Sequence, residues 1–207
     1  MNTKNLKNLA FVDVDTQRDF MRPDGALYVA GAENIVANLK RLVDFAREKN
    51  IWLLSSADAH SADDPEFEQF PPHCVAGTEG QSKIAETTRI PYLVVKSQPD
   101  ALPEEIGAET QVIFETQTFD ILTNPNFLQF IQQKGLTKFV VFGVATDYCV
   151  RDAVLGLRKN GFEVTLVEDA VRAIAPETEK KTLEEMKAAG VKFCTTDRLI
   201  AEIGDSH

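Results

Sequence analysis

The chain has 207 residues, 43% of them hydrophobic and 26% charged, with a formal net charge of −10. That length and composition suit a globular protein with one full core, and residues 1–207 read as a single domain. With its acidity unrelieved by any basic cluster, the chain excludes a nucleic-acid or anionic-membrane surface as its working face.

Leu9 to Val14 is a short apolar run rich in β-formers and reads as a buried strand, with Asp15 at its carboxyl end. Asn34 to Asn50 carries Ile35, Val36, Leu39, Leu42, Val43 and Ala46 at helical spacing. Ile51 to Leu54 predicts a second strand that ends at Ser55 and Ser56. Ala57 to Gly80, with Pro65, Pro71, Pro72, Gly77 and Gly80, reads as loop. Strands follow at Tyr92–Val95 and Val112–Phe114, separated by a proline-bearing excursion from Ser97 to Gly107. A helix over Asn126–Lys134 leads to a strand at Lys138–Gly143, the clearest of the set, and then to a helix from Cys149 to Asn160. Strand Val164–Val167, helix Glu179–Ala189, strand Val191–Cys194 and a short helix from Asp197 complete the chain. Strands alternating with helices imply βαβ units, hence an α/β fold with a mostly parallel sheet, whose ligands sit beyond the carboxyl ends of the strands.

Three cysteines, Cys74, Cys149 and Cys194, form no CxxC pair, so a reducing compartment fits better than a disulfide framework. The amino terminus lacks a signal-peptide pattern, and no apolar run approaches the ~20 residues of a membrane span. The chain therefore reads as cytoplasmic.

Gly143 to Val150 runs from a strand end into a helix start, which places Cys149 in the first helical turn. There the helix dipole and free N–H groups should lower a thiol pKa and could hold an oxyanion. The competing reading is a small buried hydrophobe. Asp15 would sit at the same sheet edge, where a carboxylate could take a thiol proton; alone it is as well explained as a turn aspartate. Asp13 points to the opposite side of its strand from Val12 and Val14, and nothing in the sequence supplies a partner for its charge. Asp58, His60, Glu66 and His73 fall in one loop and offer a mixed N/O set for one divalent ion, Zn²⁺, Fe²⁺ or Mn²⁺. The same loop, acidic throughout, would also pass as a solvated surface.

Taken together and in order, these residues resemble the isochorismatase-like cysteine hydrolases, and within them the nicotinamidase branch. Asp15-Thr16-Gln17-Arg18-Asp19-Phe20 is similar to the family's D-x-Q-x-D-F. Asp58-Ala59-His60 and Pro71-Pro72-His73-Cys74-Val75 resemble its metal loop, and Gly143 to Val150 its nucleophile segment. The resemblance implies a three-layer α/β/α sandwich and hydrolysis of a small-molecule amide through a Cys149 thioester. It implies Asp15 as proton carrier, a cis peptide at Val144–Ala145, and an oxyanion hole from the N–H groups of Ala145 and Cys149. It further implies a metal on Asp58, His60 and His73, with Glu66 where some relatives place a fourth ligand. Phe20, Phe70 and Phe119 would wall the substrate ring, and a homo-oligomer would be expected. The family's third catalytic group is a lysine at the end of a middle strand. Here Thr116 takes that slot, with Lys96, at the end of Tyr92–Val95, as the rival; the replacement leaves open a catalytically impaired member that acts as a binding protein, or a hydrolase of another small amide.

Overall fold

The computed structural model describes residues 6–103 and 105–204. Seven strands, β1 (Leu9–Val14), β2 (Trp52–Asp58), β3 (Tyr92–Val95), β4 (Gln111–Thr116), β5 (Lys138–Val144), β6 (Glu163–Arg172) and β7 (Lys192–Cys194), form one sheet. Every pairing is parallel, in the order β3-β4-β2-β1-β5-β6-β7.

The helices are α1 (Arg18–Met21), α2 (Val36–Glu48), α3 (Phe127–Gln133), α4 (Cys149–Lys159), α5 (Pro176–Ala188) and α6 (Thr196–Gly204). Strand periodicity divides the apolar residues of β1 between two cores. Leu9 and Phe11 pack with Leu39, Leu42 and Val43 of α2 and Leu199 and Ile203 of α6. Ala10, Val12 and Val14 pack with Phe127 and Phe130 of α3, Val150 and Val154 of α4, and Met186 of α5. Helices thus cover both faces, giving the expected three-layer sandwich.

The chain leaves β1 for β2 on one side and later returns to β5 on the other. That reversal opens a crevice at the carboxyl end of β1, the usual ligand position in such sheets. The last residues of β2, β4 and β5 border the same edge.

Two strands run further than hydrophobicity suggests. β2 continues past Ser55 and Ser56 to Asp58, and its final pairs are Ala57 with Glu115 and Asp58 with Thr116. The two serines are polar yet buried, because their hydroxyls donate to carboxylates on β1 and just beyond it: Ser55 to Asp13 at 3.3 Å and Ser56 to Asp15 at 2.6 Å. β6 continues past Val167 to Arg172 through an irregularity in its register with β5. Asp169 breaks the apolar pattern there because its carboxylate accepts from the backbone and hydroxyl of Thr196, both at 2.8 Å. The single turn α1 is too short to show a helical period. Gly143 has φ 121°, and a Cβ there would stand 2.1 Å from the carbonyl oxygen of Val14, so only glycine lets β5 lie this close to β1.

Candidate active site

Asp15 leaves the end of β1 with φ 47°, a left-handed conformation that aspartate tolerates better than most residues. The turn carries its carboxylate to the β2 side, onto the Ser56 hydroxyl. It is 2% exposed. Burial, then the charge of Asp58, push its pKa up from 3.8 to about 7, against the pull of hydrogen bonds from Ser56 and Cys149 and of the Lys83 charge.

Cys149 is the first residue of α4, buried, with its thiol donating toward the Asp15 carboxylate. The helix terminus does not make it a resting thiolate, as position alone suggested. Burial, followed by the negative charges of Asp15 and Asp58, holds the thiol well above its ordinary pKa. Dipole stabilisation of up to ~2 kcal/mol cannot offset a desolvated anion facing two carboxylates. The pair at rest is therefore a protonated thiol against a carboxyl group poised near neutrality.

The turn before α4 contains the cis peptide Val144–Ala145. Tyr148 N–H and Val150 N–H both donate to the Ala145 carbonyl at 3.1 Å, and Thr146 N–H to that of Arg172 at 2.9 Å. Among the described residues the N–H groups of Ala145 and Cys149 have no acceptor.

Opposite this pair, ligand atoms of Asp58, His60 and His73 lie within 4.8 Å of one another, all three residues buried. Asp58 Oδ2 stands 3.6 Å from His60 Nε2 and 3.8 Å from His73 Nε2. Tetrahedral zinc with ~2.0–2.2 Å bonds requires ligand separations of roughly 3.3–3.5 Å, so a small inward movement suffices. Each imidazole is oriented from behind: His60 Nδ1 lies 3.0 Å from Asp64 Oδ2, and His73 Nδ1 2.8 Å from the Pro71 carbonyl. That arrangement turns both Nε2 atoms inward. His60 Nε2 is buried with no hydrogen-bond partner, an orphan that an ion would satisfy. The residues present thus fit a divalent metal. Glu66 Oε1 comes within 3.8 Å of His73 Nε2 at the edge of the cluster.

Between cluster and thiol lies a cavity of about 400 Å³, its open mouth included, bordered by Asp58, Glu66, His73, Ala145 and Cys149. Phe20, Phe70 and Phe119 all line it, together with Tyr148, Leu27, Val29 and Ile174. Phe70, Phe119 and Tyr148 meet edge to face, with centroids 5.5–6.4 Å apart. A flat ring fits such walls, and little beyond the cluster, the thiol and the turn offers it a polar contact.

Residues 9–198 match the isochorismatase domain model. The chain belongs to the isochorismatase family. A nicotinamidase/pyrazinamidase of Mycobacterium tuberculosis is 27% identical over 89% of the chain and 97% of its own length. A probable inactive nicotinamidase of Arabidopsis thaliana is 29% identical, over 91% of the chain and 93% of its own. Among solved structures, the pyrazinamidase of Pyrococcus horikoshii in complex with zinc superposes with a TM-score of 0.76 at 30% identity, covering 91% of this chain and 99% of that one.

Neither candidate for the family lysine lines the cavity that Cys149 borders. Lys96 is exposed, on an open surface depression behind the metal loop with Ala59, Ser61 and Glu115. Thr116 is buried at the end of β4, and its hydroxyl donates to Asp58 Oδ1 at 3.0 Å. The buried lysine near the site is one the sequence did not single out. Lys83 Nζ pairs with Asp13 Oδ2 at 2.9 Å and donates to Thr16 Oγ1 at 2.9 Å. This supplies the partner that Asp13 lacked in the sequence reading.

The D-x-Q-x-D segment also explains itself residue by residue. Gln17 Nε2 donates to the carbonyls of Asp58 (2.8 Å) and Gln81 (2.7 Å), and its Oε1 accepts from Asp58 N–H at 2.7 Å. Asp19 accepts from the N–H groups of Ala26 (3.1 Å) and Cys74 (2.7 Å). Asp15, Asp58 and the loop that carries His60 and His73 are therefore tied together by two side chains whose only sequence signal is their place in the motif.

Proposed function

We propose that this protein is a metal-assisted cysteine amidohydrolase acting on nicotinamide or a closely related aromatic amide, releasing acid and ammonia. The observation that carries this reading is the Cys149 thiol, backed by Asp15, at an aromatic-lined cavity that Asp58 and His73 of the Asp58/His60/His73 cluster also border. The similarity to nicotinamidase/pyrazinamidases supports it.

In this reading Asp15 takes the Cys149 proton as sulfur attacks the amide carbonyl, which answers the thiol's high proton affinity. The new C–S bond forms a tetrahedral oxyanion held by the N–H groups of Ala145 and Cys149, where one such donor contributes about 10²–10³ in kcat. As the C–N bond breaks, Asp15 passes the proton to the departing ammonia. It then deprotonates the water that cleaves the thioester and returns that proton to sulfur. Phe20, Phe70 and Phe119 hold the substrate ring and keep the cavity dry. Asp58, His60 and His73, with Glu66 adjacent, would hold one zinc, iron or manganese ion, which when bound supplies a Lewis-acid position for a ring nitrogen.

The test is ammonia release from nicotinamide by protein reconstituted with each metal, with Cys149→Ala as control. Turnover abolished by that substitution is expected. No release from nicotinamide or any of a panel of pyridine carboxamides would remove this substrate class.

A further inference from the structure

We propose that Thr116 is a positioning residue for Asp58, fixing which carboxylate oxygen is presented to a bound ion; this rests on the metal reading of Asp58, His60 and His73. The two residues are register partners at the ends of β4 and β2, and both are buried. The Thr116 hydroxyl donates to Oδ1 at 3.0 Å. It is Oδ2 that faces His60 Nε2 and His73 Nε2, at 3.6 and 3.8 Å. One oxygen is thus tethered and the other left to ligate, so Asp58 binds through Oδ2 alone.

The backbone of Asp58 is held on both sides by Gln17, but those bonds leave rotation of the carboxylate free. Thr116 removes that rotation. Threonine suits the task because its branched β-carbon restricts χ1 in a strand, so the hydroxyl direction is set before any ion arrives. It is also a neutral donor. A hydroxyl orients the carboxylate without competing for its charge. The residue in the family's lysine slot has thus taken up work for the metal centre, and the slot is not vacant.

The experiment is Zn²⁺ titration of metal-stripped protein against a chromogenic chelator, with melting of the metal-free forms followed by circular dichroism. Thr116→Val keeps the shape and removes the donor, and is expected to weaken Zn²⁺ binding about 10–100-fold. Thr116→Ser keeps the hydroxyl and should stay within about threefold of wild type. Thr116→Ala, which differs from Thr116→Ser only by that hydroxyl, carries the comparison should Thr116→Val melt below the assay temperature. The Co²⁺ visible spectrum should change for Val and Ala and be preserved for Ser. Wild-type Zn²⁺ affinity in the Val and Ala variants, or a loss in Ser equal to that in Ala, overturns the proposal. A wild-type chain that takes up no Zn²⁺ overturns the metal reading itself, and the positioning role with it.

Discussion

Replacing Lys83 by methionine should cost this protein about 3 kcal/mol, although Lys83 is assigned no step in the reaction. Its side chain is 5% exposed and that of Asp13 is 0% exposed, with 2.9 Å between Nζ and Oδ2. Removing one partner of a buried ion pair typically costs 3–5 kcal/mol, because the other charge stays desolvated and alone. The lower end applies here, since Asp13 would keep hydroxyl donors from Thr16 at 2.9 Å and Ser55 at 3.3 Å. Methionine retains most of the lysine stem, so a cavity adds little. With a urea m-value of about 2 kcal/mol/M, the unfolding midpoint should fall by roughly 1.5 M. Asp13→Val alone should cost a similar amount, stranding the ammonium. The double variant should cost at least ~2 kcal/mol less than the sum of the two, since neither charge is then left behind. Single costs that add within ~0.5 kcal/mol would show that the two groups do not feel each other, and would refute the reasoning.

Asp15 gives a signed pH dependence. Its pKa in the fold, about 7, lies above the ordinary 3.8, so its neutral form favours folding. That contribution is full below pH 4 and is lost as pH rises through 7. Asp15→Asn in metal-stripped protein should flatten the stability–pH curve over that window by about 4 kcal/mol at most, while a curve parallel to wild type would contradict the raised value. As a base Asp15 must be ionised, so turnover should climb with pH toward a plateau above 7, shifted lower where a bound cation offsets Asp58; a rate independent of pH between 5 and 8 would argue against it. For His60, burial lowers the pKa, but the nearby Asp58 carboxylate, the Asp64 carboxylate that accepts from Nδ1, and the charge of Glu66 outweigh it and raise it to about 9. Zn²⁺ uptake at pH 7 should therefore release about one proton from this imidazole, measured by calorimetry in buffers of differing ionisation enthalpy; release near zero would be the contrary result. Gly80→Ala should weaken the metal loop, because the added Cβ would lie 2.2 Å from Asp19 Oδ2. That oxygen is held by Cys74 N–H and cannot swing aside without losing the bond. A loss of about 1–3 kcal/mol is expected in chemical denaturation, and an unchanged midpoint would show that the loop gives freely.

The sandwich and its parallel sheet were legible because β1 and β5 are near-continuous apolar runs and α4 shows a clean helical stripe. The site was legible wherever a residue has few other uses: one cysteine at a helix start, and both histidines outside the carboxyl-terminal residue in one loop. The buried polar connections were not. Ser55 and Ser56 read only as a strand's end, Gln17 only as a motif position, and Lys83 drew no reading, because composition and period register hydrophobicity, whereas these side chains are held by partners 41 to 70 positions away. The resting state of Cys149 was misjudged for the same reason. Local sequence shows the helix dipole, but what outweighs it is burial by the surrounding fold, followed by two carboxylates from the ends of β1 and β2.

A sheet with all its strands parallel has two unlike rims. The candidate site gathers on one, and the other carries the exposed turns at Gly135 and Gly161, whose glycines, at φ 65° and 84°, are best kept while their neighbours are altered. Those turns lie a strand's length away, about 23 Å for the seven residues of β5. Reporter groups or surface tethers grafted at that rim should leave the opposite one undisturbed, which makes it the place to immobilise or label this protein for the measurements above.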